Sequence, residues 1–446
     1  MSKSIAVIGA GWAGCAAAVE LAAAGHKITL YESSRTLGGR ARAVEINGKL
    51  LDNGQHILLG AYSETLRMLQ RVGVDEEKAL LRLPLQMRYP NNSDGMDFVA
   101  PRLPAPFHLI AALLRSKGLA GADKMALARF SSAARWMDWR MNNDCSVSEL
   151  LQRFDQTERL IKLMWRPLCI AALNTPPERA SAQIFLNVLR DSLGASRAAS
   201  DMLIPRLDLT TLFPQQASAF VEQHGGKIKL GVSVQKIAQN DDGWMVTQDK
   251  TKDEIYDAIV VATSASQAAT LLADVTATTD LPSFEYEPIT TCYLQYPADT
   301  KLDIPFYALN DDPESQCWGQ FVFDRGQLDA TQNGLFAVVV SASTEAIEWG
   351  HEALSAAIAA QLANTLQMPQ LMTPEWSRVI TEKRATFSCT PALQRPQEQT
   401  EFPALVLAGD YLASDYPATL ESAVRSGVKA AKLLSEIFTS ENFASV

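Results

Sequence analysis

The sequence predicts an α/β protein, a Rossmann-type nucleotide-binding domain into which an α+β substrate domain is inserted. Three observations carry this expectation. A short apolar strand at 5–8 runs into the glycine-rich turn Gly9-Ala10-Gly11-Trp12-Ala13-Gly14 and then an alanine-rich helix. A second strand, at 27–31, is followed by an acid, Glu32. Near the other end, an apolar strand at 404–408 meets another glycine turn, Gly409-Asp410, before a closing helix.

Each element has a physical reason. In G-x-G-x-x-G, Gly9 allows the tight turn, Gly11 lets a pyrophosphate approach the backbone, and Gly14 brings helix and strand close. The helix N-terminus turns its free N–H groups and positive dipole toward the phosphates. Glu32 stands 18 residues past Gly14, where a carboxylate binds ribose hydroxyls and repels a 2′-phosphate. In Leu37-Gly38-Gly39-Arg40-Ala41-Arg42 the paired glycines permit close backbone approach. Arg40 can neutralise a diphosphate or cover a flavin edge; a solvated arginine on a surface turn is the competing reading.

From about 84 to 203 the pattern is mostly helical, punctuated by prolines. A strand follows at 227–234, then a hairpin signal at Asp241-Asp242-Gly243 and a buried-type strand at 258–263. Further strands are expected at 290–296 and 335–341, with helices at 347–366 and 419–438. The expected nucleotide-binding domain is therefore discontinuous, built from 1–80, 204–265 and 395–446. The substrate domain takes 81–203 and 266–394.

Composition narrows the function classes. The chain has 446 residues, 47% of them hydrophobic, enough to bury two or three domains. A net charge of −10 argues against nucleic-acid binding. The six cysteines form no C-x-x-C and no cluster with histidine. This spacing offers neither a metal site nor a disulfide framework and fits a reducing compartment. The first residues lead straight into a strand without a signal-like segment, and no apolar run is long enough to cross a bilayer. The expectation is a cytoplasmic protein whose membrane contact, if any, is peripheral, on the inner face of the cell membrane.

NAD and FAD share the N-terminal fingerprint, and the closing segment selects FAD. Asp410 at its turn can accept hydrogen bonds from a ribityl chain. A helix opening at Thr419-Leu420-Glu421 and aimed at the flavin pyrimidine would stabilise negative charge there on reduction. A plain capped helix is the alternative.

Taken together, GAGWAGCAAAVEL, YE, LGGRAR, AGD and ATLESAVRSG resemble the flavin amine oxidase and phytoene desaturase superfamily. More specific segments are similar to the hydroxysqualene dehydroxylase family, also called squalene-associated FAD-dependent desaturases. They are LDNGQHILLGAY from Leu51, WRPLC from Trp165, AALNTPP from Ala171 and IPRLDL from Ile204. The resemblance implies FAD as cofactor, held by Gly9, Gly11, Gly14, Glu32, Gly39, Arg40, Gly54, Val234 (through its main chain), Gly409, Asp410 and Leu420. It also implies a reaction, loss of the hydroxyl of hydroxysqualene to give squalene in hopanoid biosynthesis. Reduced flavin would be the hydride donor and an unidentified electron donor would recharge it. A polyene desaturase, moving hydride the other way, and a non-catalytic flavin-containing lipid carrier are the alternative readings.

Such chemistry needs an acid for the departing oxygen, exclusion of water and orientation of a long chain. His56 is the candidate acid or positioning group; a histidine in a packing role is the competing reading. Asp208, Tyr62 and Tyr416 are further candidates. Amine oxidases often carry an aromatic two residues before the Glu of the closing motif, and here that position is Thr419, which cuts against amine oxidation. Cys389 lacks a motif for covalent flavin attachment and reads as structural. Within 101–140, seven basic residues (Arg102, Arg115, Lys117, Lys124, Arg129, Arg135, Arg140) face only Asp123 and Asp138, beside the apolar run 107–114. This segment is a candidate lipid-docking element, the alternative being an ordinary solvated helix over the substrate domain.

Overall fold

The structure, a computed structural model, describes residues 2–91, 94–248, 253–273, 275 and 281–444. Positions 1, 92–93, 249–252, 274, 276–280 and 445–446 of the expected domain segments lie outside the described residues.

The chain builds an α/β fold on a parallel sheet of five strands, ordered Lys227–Leu230, Lys27–Glu32, Ser4–Ile8, Ala258–Val261 and Leu405–Leu407. The central runs Ile5-Ala6-Val7-Ile8 and Ala258-Ile259-Val260-Val261 are fully covered, as strands with both faces buried must be. Ile5 stands opposite Ile28 on one side and Ala258 on the other, and Val260 opposite Val406. This register brings both ends of the chain into one sheet. The first helix, Trp12–Ala23, lies between the closing helix Leu420–Ala444 and the helix Pro214–Gln223. Its alanines let neighbours approach to backbone contact: a Cβ at Gly427 would sit 2.1 Å from the Ala13 carbonyl oxygen.

Several expected elements have different bounds. The strand expected at 227–234 breaks at Gly231, whose φ is +69°. Lys227–Leu230 joins the parallel sheet, while Val234–Asn240 forms a separate three-stranded meander with Gly243–Gln248 and Glu254–Tyr256. The hairpin lies where its turn residues placed it, with Asn240 opposite Gly243. The helix expected at 347–366 is two, Thr344–Glu348 and His351–Leu366, divided at Gly350 with φ +79°.

A second, antiparallel sheet runs in the order Phe306–Ala308, Phe321–Asp324, Leu335–Ser341, Tyr286–Gln295 and Trp376–Phe387. Its longest pairing shifts register between Glu287 and Ile289, where Pro288 has no N–H to give the ladder. The stretch 84–203 opens with a small strand pair, Gln86–Arg88 with Asp97–Val99, before the expected helices. These include Phe107–Arg115, Gly121–Trp136 and two helical runs that each carry a π-helical turn, at Ile161–Trp165 and Arg190–Gly194. Buried Asn174, in the left-handed conformation that ends the first of these runs, ties it to the sheet. Its amide donates to the Glu287 carbonyl and Thr386 Oγ1 and accepts from Ala342 N. Among the described residues no helix is long and apolar enough to cross a membrane.

Candidate active site

The glycine-rich turn is fixed from behind. Gly9 N donates to the Tyr31 carbonyl at 2.8 Å, and Gly38 N donates to the Ala10 carbonyl at 2.9 Å. Gly11 and Gly38 form a parallel bridge, so the two glycine turns lie against each other. A Cβ at Gly14 would stand 1.9 Å from the Gly9 carbonyl oxygen, which explains the third glycine of the fingerprint. Around Gly11 the nearest such neighbour is Gly39 Cα at 4.0 Å, which leaves room for a phosphate at the first helix's N-terminus.

Glu32 is buried at the end of its strand and accepts from Ala10 N at 2.9 Å and Ser34 N at 2.8 Å. Val234 opens the meander beside it and lines the same cavity. From the other end of the chain come Gly409, Asp410 and Leu420. Arg40 pairs with Asp410 at 2.5 Å and donates to the Ala385 carbonyl at 2.9 Å. The Asp410 charge is the main reason the guanidinium holds its proton even more firmly than usual. Asn53, which sequence reasoning missed, donates to the Arg40 carbonyl and accepts from Arg42 N, joining this loop to the Gly54 segment.

All eleven expected cofactor positions except Gly14, which lies behind the turn, line one cavity of about 1130 Å³. The cavity continues between the helical layer (Leu109, Phe130, Met164, Trp165, Leu168) and the antiparallel sheet (Ile289, Phe321, Phe323, Val339). Both π-helical turns contribute to its wall. One end thus offers backbone N–H groups, a carboxylate for ribose and a guanidinium, and the other offers apolar side chains. The residues present fit FAD: the glycine turn would hold its phosphates and Glu32 a ribose, with Gly54 and Leu420 lining the same cavity.

The candidate catalytic residues separate. His56 lines the cavity, and its Nδ1 lies 2.8 Å from the Gly54 carbonyl oxygen. A carbonyl can only accept, so Nδ1 carries the proton and Nε2 is an acceptor in the neutral ring. Burial pushes the His56 pKa below its usual value, partly offset by that hydrogen bond, so the neutral form is favoured. Tyr62 and Tyr416 also line the cavity. Burial first, then the nearby Glu421 charge, raises the Tyr62 pKa. Burial and the hydrogen bond donated to Asp191 push Tyr416 up to about 12.

Asp208 is not among the lining residues; its carboxylate caps the helix Leu209–Leu212 by accepting from Thr211 N at 2.9 Å. Asp52 lies close behind, buried, and accepts from Leu209 N at 2.7 Å, with its pKa pushed up to about 7 by burial. Cys389 is buried outside the cavity lining, with its thiol pushed up to about 12 by burial. Glu421 of the closing motif is also spoken for: buried, it accepts from Glu64 N, Thr65 N, Thr65 Oγ1 and Arg425 Nε. It caps the helix Ser63–Arg71.

A buried cation behind the site had no signal in the sequence. Arg325, 2% exposed, donates to Gln55 Oε1 at 3.0 Å and Gln332 Oε1 at 2.9 Å. Gln55 lines the cavity beside His56, so this arginine braces the loop from 270 residues away.

Comparisons with known proteins agree with this geometry. A family model described as flavin containing amine oxidoreductase matches residues 12–435. The chain is 29% identical to a hydroxysqualene dehydroxylase of Rhodopseudomonas palustris, over 97% of this chain and 99% of that one. It is 25% identical to one of Sinorhizobium fredii, over 98% and 100%. An oxidoreductase structure from Methanosarcina mazei shares the fold, with a TM-score of 0.70 at 15% identity, covering 96% of this chain and all of that one.

Proposed function

The chain belongs to the flavin containing amine oxidoreductase family and is an FAD-dependent oxidoreductase, and on that premise we propose that it reductively removes the hydroxyl of hydroxysqualene to give squalene. The place of the reaction would be hopanoid or other triterpenoid biosynthesis, and the substrate class a long lipophilic isoprenoid. The reading rests on one observation above all. A single cavity joins the polar glycine-turn end to a long apolar end between helical layer and sheet. The similarity to dehydroxylases over nearly the whole chain supports it.

We assign FAD binding to Gly9, Gly11, Gly14, Glu32, Gly39, Arg40, Gly54, Val234, Gly409, Asp410 and Leu420, in a domain made of 1–80, 204–265 and 395–446. Reduced FAD, when bound, supplies the hydride that replaces the hydroxyl. In the balanced step the C–O bond breaks, the proton that accompanies the hydride in the two-electron-reduced cofactor joins the departing oxygen so that water leaves, and a C–H bond forms at the same carbon. An external electron donor then recharges the flavin.

The chain's own contribution is orientation and exclusion of water. His56, neutral with Nδ1–H given to Gly54, presents Nε2 as an acceptor for the substrate hydroxyl. This makes it a positioning group rather than the acid. The apolar walls exclude water from the carbon that loses the hydroxyl and hold the chain extended. At the position before Leu420, Thr419 adds no aromatic wall, in keeping with an uncharged isoprenoid rather than an amine. We further propose that the protein works on the inner face of the cell membrane, touching it through 101–140.

Anaerobic incubation of pre-reduced enzyme with hydroxysqualene tests the reaction. Squalene should appear together with flavin reoxidation, in equal amounts. Bleaching of oxidised flavin by a more saturated polyene would instead mark a desaturase, and no redox change with either substrate would mark a carrier.

A further inference from the structure

We infer, resting on the isoprenoid reading above, that the outer faces of the helices Phe107–Arg115 and Gly121–Trp136 dock on an anionic bilayer, and that the substrate end of the cavity opens inside that footprint. The first helix is turned the wrong way for a water-facing element. His108 and Ala112 are its buried residues, while Phe107 (61% exposed), Ile110 and Leu114 (70%) form an outward stripe at i, i+3 and i+7. The second helix adds Met125 and Trp136 (88%) on one face, with Arg129 between them. Lys124 Nζ donates to the Leu114 and Ser116 carbonyls and so ties the start of the second helix to the end of the first.

At its apolar end the cavity reaches the surface within this patch. Ile110, Leu114, Ser132 and Arg135 each line the cavity and are also exposed. A substrate leaving lipid there would meet apolar walls without crossing water.

Charge favours an anionic lipid surface over a second copy of the chain. Arg102, Arg115, Lys117, Arg129, Arg135 and Arg140 are exposed, and none is ion-paired among the described residues. Two such faces brought together by a twofold axis would oppose like charges. Elsewhere the chain is acidic, with a net charge of −10 overall, so an anionic surface would attract this face and repel the remainder.

The test uses the FAD-loaded full chain and vesicles of phosphatidylcholine mixed with phosphatidylglycerol, against phosphatidylcholine alone. The wild type should co-sediment with the mixed vesicles, and salt should weaken the binding. Replacing Phe107→Ser with Trp136→Ser should weaken it on the order of tenfold or more. Neutralising Arg115→Gln, Lys117→Gln and Arg129→Gln together should weaken it roughly a hundredfold on the mixed vesicles only. None of these side chains lines the cavity, so flavin content and turnover of detergent-dispersed substrate should hold. As a check that needs no weakened variant, brominated lipid should quench a fluorescence component that Trp136→Phe lacks. Equal vesicle binding by wild type and both variants, or no binding by the wild type, overturns the docking. So does a dimer that Trp136→Ser dissociates, seen without vesicle binding. Binding is read without substrate, so loss of the dehydroxylase reading would leave this result standing, and the reverse.

Discussion

Arg40 and Asp410, 370 positions apart in the chain, meet at 2.5 Å across the cavity wall. One comes from the turn after the second parallel strand, the other from the turn after the last, and both line the space where a flavin would lie. The pair closes the site by joining its two sequence-distant halves. Its arginine side chain keeps 39% exposure, toward the cavity, while the aspartate keeps only 9%, so the pair is half-buried and places two charged groups at the cavity wall.

Breaking this pair should therefore weaken cofactor binding, and the effect on the fold should depend on which partner is removed. Arg40→Ala and Asp410→Asn are each expected to weaken FAD binding about ten- to a hundredfold, the range for a hydrogen bond to a charged group. Thermal unfolding of the flavin-free protein should change little for Asp410→Asn, whereas Arg40→Ala leaves a buried carboxylate unpaired and should lower Tm. Titration of apoprotein with FAD, followed by flavin fluorescence, checks both.

The two inner glycines should fail in different ways. Gly14→Ala drives a Cβ to 1.9 Å from the Gly9 carbonyl oxygen, so the first helix must move off its strand. A destabilisation of about 3 kcal/mol or more is expected, visible as a lowered Tm with or without FAD. Gly11→Ala meets only Gly39 Cα at 4.0 Å and keeps an ordinary φ of −72°. It should fold normally yet lose FAD affinity, because its methyl occupies the phosphate approach.

His56 should set an acid limit on activity. Its pKa is held below 6.5 by burial, so the ring is neutral and Nε2 accepts at neutral pH. As pH falls through that lowered pKa the ring gains a proton, Nε2 becomes a donor, and positioning of the hydroxyl is lost. The profile of kcat/KM should therefore fall at a pH below 6.5, and His56→Gln should lower kcat/KM while removing that limb. An unchanged limb in the variant would assign it to another group.

Asp52 gives folding the opposite slope. Its folded pKa of about 7 exceeds the 3.8 of an ordinary aspartate. Between those values the unfolded chain releases a proton that the folded chain keeps, so stability falls as pH rises through the window and levels off above it. Asp52→Asn keeps an acceptor for Leu209 N and should stabilise the protein above pH 7 on the order of 2–4 kcal/mol. Near pH 4 the advantage should vanish. Tm measured across this range checks the sign.

Glu421 should prove structural. Removing its carboxylate by Glu421→Ala leaves four buried or half-buried donors without their acceptor. A loss of about 2–4 kcal/mol is expected, read as a lower Tm of the FAD-loaded protein.

What the sequence determined by itself is local. Gly9, Gly11, Gly14, Glu32 and Gly38-Gly39 were legible because turn conformation, helix start and strand end are set by neighbours a few residues away. The apolar strands of the parallel sheet and the two-residue hairpin at 241–242 were legible for the same reason. The break at Gly231 was not, since a glycine's freedom does not say whether the chain uses it.

Only the tertiary structure decided which polar side chains serve the cavity. It set Asp208 to capping a helix, Glu421 to holding another, and His56 Nδ1 against its own loop carbonyl. It also brought Arg325 to Gln55 and Tyr416 to Asp191, pairings 270 and 225 residues apart. A side chain's role follows from its partners and its burial. For these residues both were fixed by contacts that no spacing along the chain encodes.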